Sequence, residues 1–126
     1  MRVAIRTIPQ TDGERVLSRW LSDRSGVLSD REELALAVRF SLQLLREKAP
    51  GRSVEVRVPP FGAAQVVEGP THTRGTPPAV VEVEPETWLD VIIGKTSFRE
   101  AVGEGTIQLS GLRTDLQGFL PLWPLS

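Results

Sequence analysis

The stretch that decides the fold is residues 79–111, which read AVVEVEPETWLDVIIGKTSFREAVGEGTIQLSG. Its first residues are rich in valine, as in a β-strand, and Pro85 is then well placed as the first residue of a helix. Gly94 can adopt the left-handed conformation that ends a helix, and Ser97 can cap the helix that follows. The alternation of Ile107 and Leu109 predicts a closing strand. The stretch therefore predicts the order strand, helix, helix, strand.

The longest predicted helix covers about residues 30–49, and Ser29 with Glu32 forms a capping-box pattern at its start. Its polar side chains form a narrow arc at Glu32, Arg39, Gln43 and Arg46. The remaining arc is apolar and contains Leu34, Ala35, Ala37, Val38, Phe40, Leu42, Leu44 and Leu45. At about 100° per residue this arc is wider than one contact surface needs. We therefore expect its flanks to meet another element or an apolar ligand.

Two more strands are predicted between this helix and residue 79. Residues 53–59 alternate cleanly, with valines at 54, 56 and 58 on one face. Residues 63–68 can return beside them as an antiparallel partner, and 69–78 form a loop rich in Gly and Pro. The sheet is expected to bury its valine face against the helices.

The two ends of the chain give weaker signals. A short N-terminal helix, capped by Thr11 or Asp12 and stopped at Ser25-Gly26, would carry Val16, Leu17, Trp20 and Leu21. Residues 113–123 are interrupted by Gly and Pro and are expected to form a short helix or turn over the core. The whole pattern predicts one α+β domain over residues 1–126, with 1–28 as an N-terminal extension.

Composition narrows the class of function. The chain has 126 residues, of which 40% are hydrophobic and 25% charged, and its formal net charge is −1. A nucleic-acid partner is not expected because a basic surplus is lacking. The absence of cysteine excludes disulfides, thiolate metal sites and cysteine catalysis. With neither a signal-peptide pattern nor an apolar run long enough to cross a bilayer, we expect a cytoplasmic protein without a membrane span.

Catalytic chemistry is not expected. A Ser-His-Asp triad would depend on His72, the single histidine, and no nucleophile-elbow pattern surrounds any serine. A zinc site needs three or four ligands, which one histidine without cysteine makes improbable. We therefore predict no catalytic residues, no metal and no cofactor.

Two sets of motifs resemble the sterol carrier protein superfamily. The first is the order of the strand at 79–84, the helix at 85–93 with Gly94-Lys95, the helix at 97–102, Gly105 and the strand at 107–111. The second set is similar to a short bacterial sterol-carrier-like branch and comprises residues 54–60, Gly69-Pro70, His72 and 74–78. The resemblance covers about residues 34–122. It implies a mixed, largely antiparallel sheet with helices packed on one face, and an apolar tunnel between them for fatty acids, acyl thioesters or sterols.

The resulting hypothesis is non-catalytic binding, and transfer, of an apolar or acyl ligand in an internal hydrophobic cavity. The predicted lining is Leu34, Val38, Phe40, Leu44, Val66, Trp88, Ile92, Phe98, Val102, Ile107 and Leu109. Arg74 with His72 could hold an acyl headgroup, since arginine pairs well with carboxylate or phosphate. An ion pair of Arg74 with Glu68 or Glu82 that shapes the loop is the plainer interpretation. The alternative function is a protein-protein interaction or regulatory module that has no small ligand.

Overall fold

A computed structural model of the chain describes residues 7–70 and 79–124. Within these ranges the helices are α1 at Gln10–Ser22, α2 at Arg24–Leu28, α3 at Arg31–Lys48, α4 at Pro85–Ile92 and α5 at Phe98–Gly103. The strands are β1 at Val54–Val58, β2 at Gly62–Val66, β3 at Ala79–Val83 and β4 at Ile107–Ser110. A short 3-10 helix follows at Gln117–Phe119. The predicted α+β class is confirmed.

The four strands form one sheet in the order β2-β1-β3-β4. The β1–β2 and β3–β4 pairs are antiparallel, whereas β1 and β3 run parallel, so the sheet is mixed and largely antiparallel as predicted. Val56 lies between Ala64 and Val81 on a buried face. The opposite face carries polar side chains at Glu55, Arg57, Gln65, Glu82 and Gln108. Among the described residues, the helices therefore pack on one face of the sheet.

Helix α3 supplies most of the layer above the sheet, and its interior positions follow the predicted apolar arc. Val38, Phe40 and Leu45 are fully buried. The predicted capping role of Ser29 is wrong, because the carboxylate of Asp30 accepts the backbone N–H groups of Glu32 and Glu33. Ser29 instead ends α2 and donates its hydroxyl to the carbonyl of Gly26. Asp30 has the extended backbone of an N-cap, which places its side chain over the first turn.

The N-terminal part differs from the prediction in three respects. Helix α1 begins after Pro9 without a side-chain cap, so neither Thr11 nor Asp12 caps it. Ser25 and Gly26 do not stop a helix but lie inside α2. Leu21 is 57% exposed, whereas the other predicted apolar positions of α1 (Val16, Leu17 and Trp20) are buried. These residues pack on the same core as α3, so the N-terminal segment is an integral part of the hydrophobic core.

An ionic cluster joins α2 to α4. The guanidinium of Arg24 donates to both carboxylate oxygens of Asp90 and to Glu86, and it lies 4.4 Å from the ring centre of Trp20. Trp20 Nε1 donates to the same Asp90 carboxylate at 3.1 Å. The hydrogen bond to Asp90 raises the pKa of the Arg24 guanidinium above its ordinary, already high value. The cluster therefore ties the N-terminal helices to the C-terminal half.

The C-terminal half follows its local signals. Pro85 occupies the first turn of α4, and the Ser97 hydroxyl accepts the N–H of Glu100 to cap α5. The predicted tail turn is the 3-10 helix, after which Leu122 and Trp123 donate their N–H groups to the carbonyl of Ile92. The tail is thereby fastened to the end of α4.

We expect Gly94→Val to lower the free energy of unfolding by roughly 1–2 kcal/mol. Gly94 follows α4 with φ of +80°, a left-handed conformation that costs a side-chain-bearing residue about that much. An added Cβ would lie 3.4 Å from Pro121, an ordinary contact, so backbone strain is the main effect. Urea unfolding measures the change, and Lys95→Val, at an exposed neighbouring position, is the control. Equal stability of Gly94→Val and the wild type would contradict the left-handed conformation of Gly94 at the end of α4.

Glu33 of α3 binds two arginines of α1. Its carboxylate accepts Arg15 at 2.8 and 2.9 Å and Arg19 at 2.9 Å. Hydrogen bonding, first from Arg15 and then from Arg19, lowers the pKa of Glu33 from 4.5 to about 2. The folded carboxylate thus stays ionised at pH values where the unfolded one takes up a proton.

This difference predicts the pH dependence of stability. The contribution of Glu33 is complete above pH 4.5 and is lost as the pH falls through its folded pKa of about 2. As the pH falls between these two values, the free energy of unfolding of Glu33→Gln should therefore decrease less than that of the wild type. Urea titrations measure both. Glu104→Gln, at an exposed glutamate without an ion pair among the described residues, is the control. If Glu33→Gln and the wild type lost stability in parallel, the cluster would not contribute.

Candidate ligand-binding site

The predicted lining residues lie mostly in one hydrophobic core between the helices and the sheet. The predicted lining residues that are buried in this core are Val38, Phe40, Leu44, Val66, Trp88, Ile92, Phe98 and Ile107. Leu34 and Val102 are partly buried and pack against it. Leu109 is 39% exposed, so its predicted place in the interior is wrong. It shares a sheet face with Ile107 but lies farther along the edge strand β4, where the core no longer covers it.

The interior carries one buried polar link. Trp88 Nε1 donates to Ser41 Oγ at 2.7 Å, and that hydroxyl donates to the carbonyl of Val38 at 2.6 Å. Across the described ranges, every buried side-chain nitrogen or oxygen has a hydrogen-bond partner. The buried polar side chains of those ranges are Ser41, Gln43, Ser53 and Thr114, none of which titrates near neutral pH. The interior can therefore hold apolar surface but offers no acid or base.

A groove of about 610 Å³ opens on the other side of α3, beside the start of β2. Its apolar lining is Ile8, Leu36, Leu42 and Phe61, and its polar lining is Glu32, Glu33, Arg39, Gln43 and Arg46. The polar arc predicted for the long helix thus forms one wall of a groove. This groove was not predicted from the sequence, because its opposite wall comes from distant parts of the chain. The spacing of the arc was the only signal.

Hydrogen bonds fix both walls of this groove. Gln43 binds the backbone of Ile8 twice, accepting its N–H at 2.9 Å and donating to its carbonyl at 3.0 Å. Arg39 donates Nε to the carbonyl of Phe61 at 3.0 Å. A Cβ at Gly62 would lie only 3.3 Å from Leu42, so glycine allows this close approach of β2 to α3. These contacts fix the positions of Ile8 and of the start of β2 relative to α3.

Other pockets lie on the surface of the described residues. One of about 550 Å³ lies between the end of β3 and the start of β4, and Glu82, Glu84 and Gln108 are among its lining residues. Another of about 170 Å³ lies under the tail and includes Phe98, which also belongs to the predicted lining. Apart from Phe98, no residue of the predicted ligand lining borders the groove or either of these two pockets.

Other predicted features are placed as follows. His72 and Arg74 lie outside the described residues. Between residues 7–70 and 79–124, no cluster of three or more His, Asp or Glu side chains could hold a metal ion. In that same part of the chain, no helix has the length and apolar character that crossing a membrane requires.

Comparison with known proteins identifies a family. Residues 30–122, from the cap of α3 to the tail on α4, match the model of the family described as bacterial SCP ortholog. No curated protein matches the chain. Proteins of the sterol carrier protein type are in general non-catalytic carriers, so the match points to lipid binding or transfer in general. Because the match covers well over half of the sequence, the chain belongs to this bacterial family of sterol carrier protein-like proteins.

Proposed function

We propose that the protein binds, and transfers, an apolar or acyl ligand in the cytoplasm without catalysing a reaction. The ligand would lie between α3 and the sheet, against Val38, Val66 and Trp88. The observation that carries the proposal is the family match, because its residues 30–122 contain both α3 and the whole sheet. His72 and Arg74 remain the proposed headgroup contacts.

The chemistry of the interior supports an apolar ligand. The described core is lined by aliphatic and aromatic side chains, and its one polar link is internally satisfied. Because these side chains pack against one another, a ligand has to separate α3 from the sheet or α4.

The free energy gained by burying the ligand limits how much the separation of α3 from its neighbours can cost. Burial of a sixteen-carbon chain gains roughly 13 kcal/mol at about 0.8 kcal/mol per methylene. Binding with a Kd of about 1 µM corresponds to about −8 kcal/mol. About 5 kcal/mol therefore remains to offset lost freedom of motion and the opening of the core. A ligand chain much shorter than this should bind weakly.

Two tryptophans allow a direct test in solution. Trp88 belongs to the proposed lining and donates Nε1 to Ser41, whereas Trp20 donates to Asp90 between α1 and α4. Palmitate added at micromolar concentration should shift the Trp88 indole N–H signal in a saturable manner and change that of Trp20 much less. The variant Trp88→Phe identifies the signal. An unchanged Trp88 signal up to the solubility limit of palmitate would refute binding at this place.

Protein-protein interaction is the second candidate function, and the β4 edge supports it. Leu109 of this strand is 39% exposed, and Leu112, which follows the end of the strand at Ser110, is 85% exposed. Exposed apolar side chains on an edge strand favour pairing with another chain. Sedimentation velocity of the wild type and of Leu109→Lys with Leu112→Lys tests self-association. A wild type that stays monomeric at high micromolar concentration would remove a second copy as the partner.

A further inference from the structure

We infer that the groove between α3 and the start of β2 is a second binding site, which takes an amphiphilic anion through Arg39 and Arg46. The ligand class is a medium-length alkyl chain that bears one carboxylate. The site lies outside the core, so it does not depend on the interior ligand proposed above.

The charge of the groove favours an anion. Neither Arg39 nor Arg46 forms an ion pair with any residue in the described ranges, whereas Arg15, Arg19 and Arg24 of the first two helices all do. Among the described residues Arg39 donates only from Nε, to the carbonyl of Phe61, which leaves its two terminal nitrogens for a ligand.

The carboxylates of the groove do not cancel this charge. Glu33 is already neutralised by Arg15 and Arg19, at 2.8 and 2.9 Å. Glu32 is the one lining carboxylate not held by arginine within the described part of the chain. Two guanidinium groups therefore face one free carboxylate, and the groove is net positive.

The spacing of the two arginines favours an elongated ligand. They are seven residues apart on α3, which places them on the same side of the helix and about 10 Å apart along its axis. Leu36 precedes Arg39 by one turn, and Ile8 and Phe61 add apolar surface to the groove. A guanidinium can bind a carboxylate with two parallel hydrogen bonds while the alkyl chain covers the apolar walls. The volume of about 610 Å³ is large enough for a chain of roughly ten carbons.

Decanoate is a suitable probe because decanol offers the same chain without the charge. Backbone amide signals of Ile8, Gly62 and Ala63 should shift saturably with decanoate, and the apparent Kd should rise with ionic strength. Arg39→Gln and Arg46→Gln should each weaken binding roughly fivefold, and the double variant should weaken it further. Lys48→Gln removes the same charge from the same helix at an exposed position outside the groove, so it should retain decanoate binding.

Arg39→Lys separates charge from structure, since lysine keeps the charge but not the paired geometry, and it should bind decanoate between the wild type and Arg39→Gln. Equal weakening by Lys48→Gln and by the two arginine variants would overturn the proposal. Decanol binding as tight as decanoate, or shifts confined to core signals such as Trp88, would also overturn it. Binding in the interior is followed by the indole signal of Trp88, and binding in the groove by the amide signals of Gly62 and Ala63. The absence of binding at one site is therefore distinguishable from its absence at the other.

Discussion

Phe40→Ala should lower the free energy of unfolding by about 3–5 kcal/mol, a large part of the stability of a domain of this size. The ring is fully buried in α3 and faces α1, where Gly13 leaves room for it. Removing it deletes apolar contacts and leaves a cavity that the surrounding helices cannot fill completely. Guanidinium unfolding, followed by far-ultraviolet circular dichroism, measures the loss.

Leu112→Ala is the control for this measurement. Leu112 is 85% exposed, so its truncation should change the free energy of unfolding by less than about 0.5 kcal/mol. A loss of less than 1 kcal/mol for Phe40→Ala would show that the ring does not hold α1 against α3.

Gly13→Ala should destabilise the protein by about 2–3 kcal/mol, although alanine favours a helix over glycine by roughly 1 kcal/mol. Gly13 lies within α1, and an added Cβ would lie 2.2 Å from the ring of Phe40. Since no real Cβ tolerates this distance, either the buried ring or the whole of α1 must move. The sign of the effect is therefore opposite to that expected from helix propensity.

Gly103→Ala provides the matched control. Gly103 ends α5, and a Cβ there would have nothing within 4 Å, so alanine should leave the stability unchanged or raise it. Phe40→Leu combined with Gly13→Ala should recover part of the loss, because the smaller side chain leaves space for the added methyl group. If the effects of these two substitutions were simply additive, the proposed contact would not exist.

Local signals predicted the C-terminal half well and the N-terminal half less well. Pro85, Gly94 and Ser97 act within their own helices, so their positions in the sequence sufficed. Gly13 is unfavourable in a helix by its own propensity, and the reason for it is a contact with Phe40 of another helix, which no local signal reveals. Ser29 and Asp30 are both good N-caps, and backbone geometry rather than residue type selects the second.

Sites that join distant segments were the least predictable. Alternation correctly gave Leu109 and Ile107 the same face, but it could not show where the covering layer ends. The groove depends on Gln43 holding Ile8 across 35 positions and on Arg39 holding Phe61 across 22. A periodic pattern describes one element at a time, so the polar arc of α3 could not reveal the opposite wall.

Native mass spectrometry of freshly purified protein tests the central proposal, ligand binding between α3 and the sheet, most directly. The Arg39→Gln, Arg46→Gln variant is measured beside the wild type, so that a ligand in the groove is not mistaken for one in the interior. The account predicts an added acyl-sized mass in both proteins, one per chain in the variant, which denaturation releases and micromolar palmitate restores. A bare chain mass that palmitate does not change in either protein would contradict it.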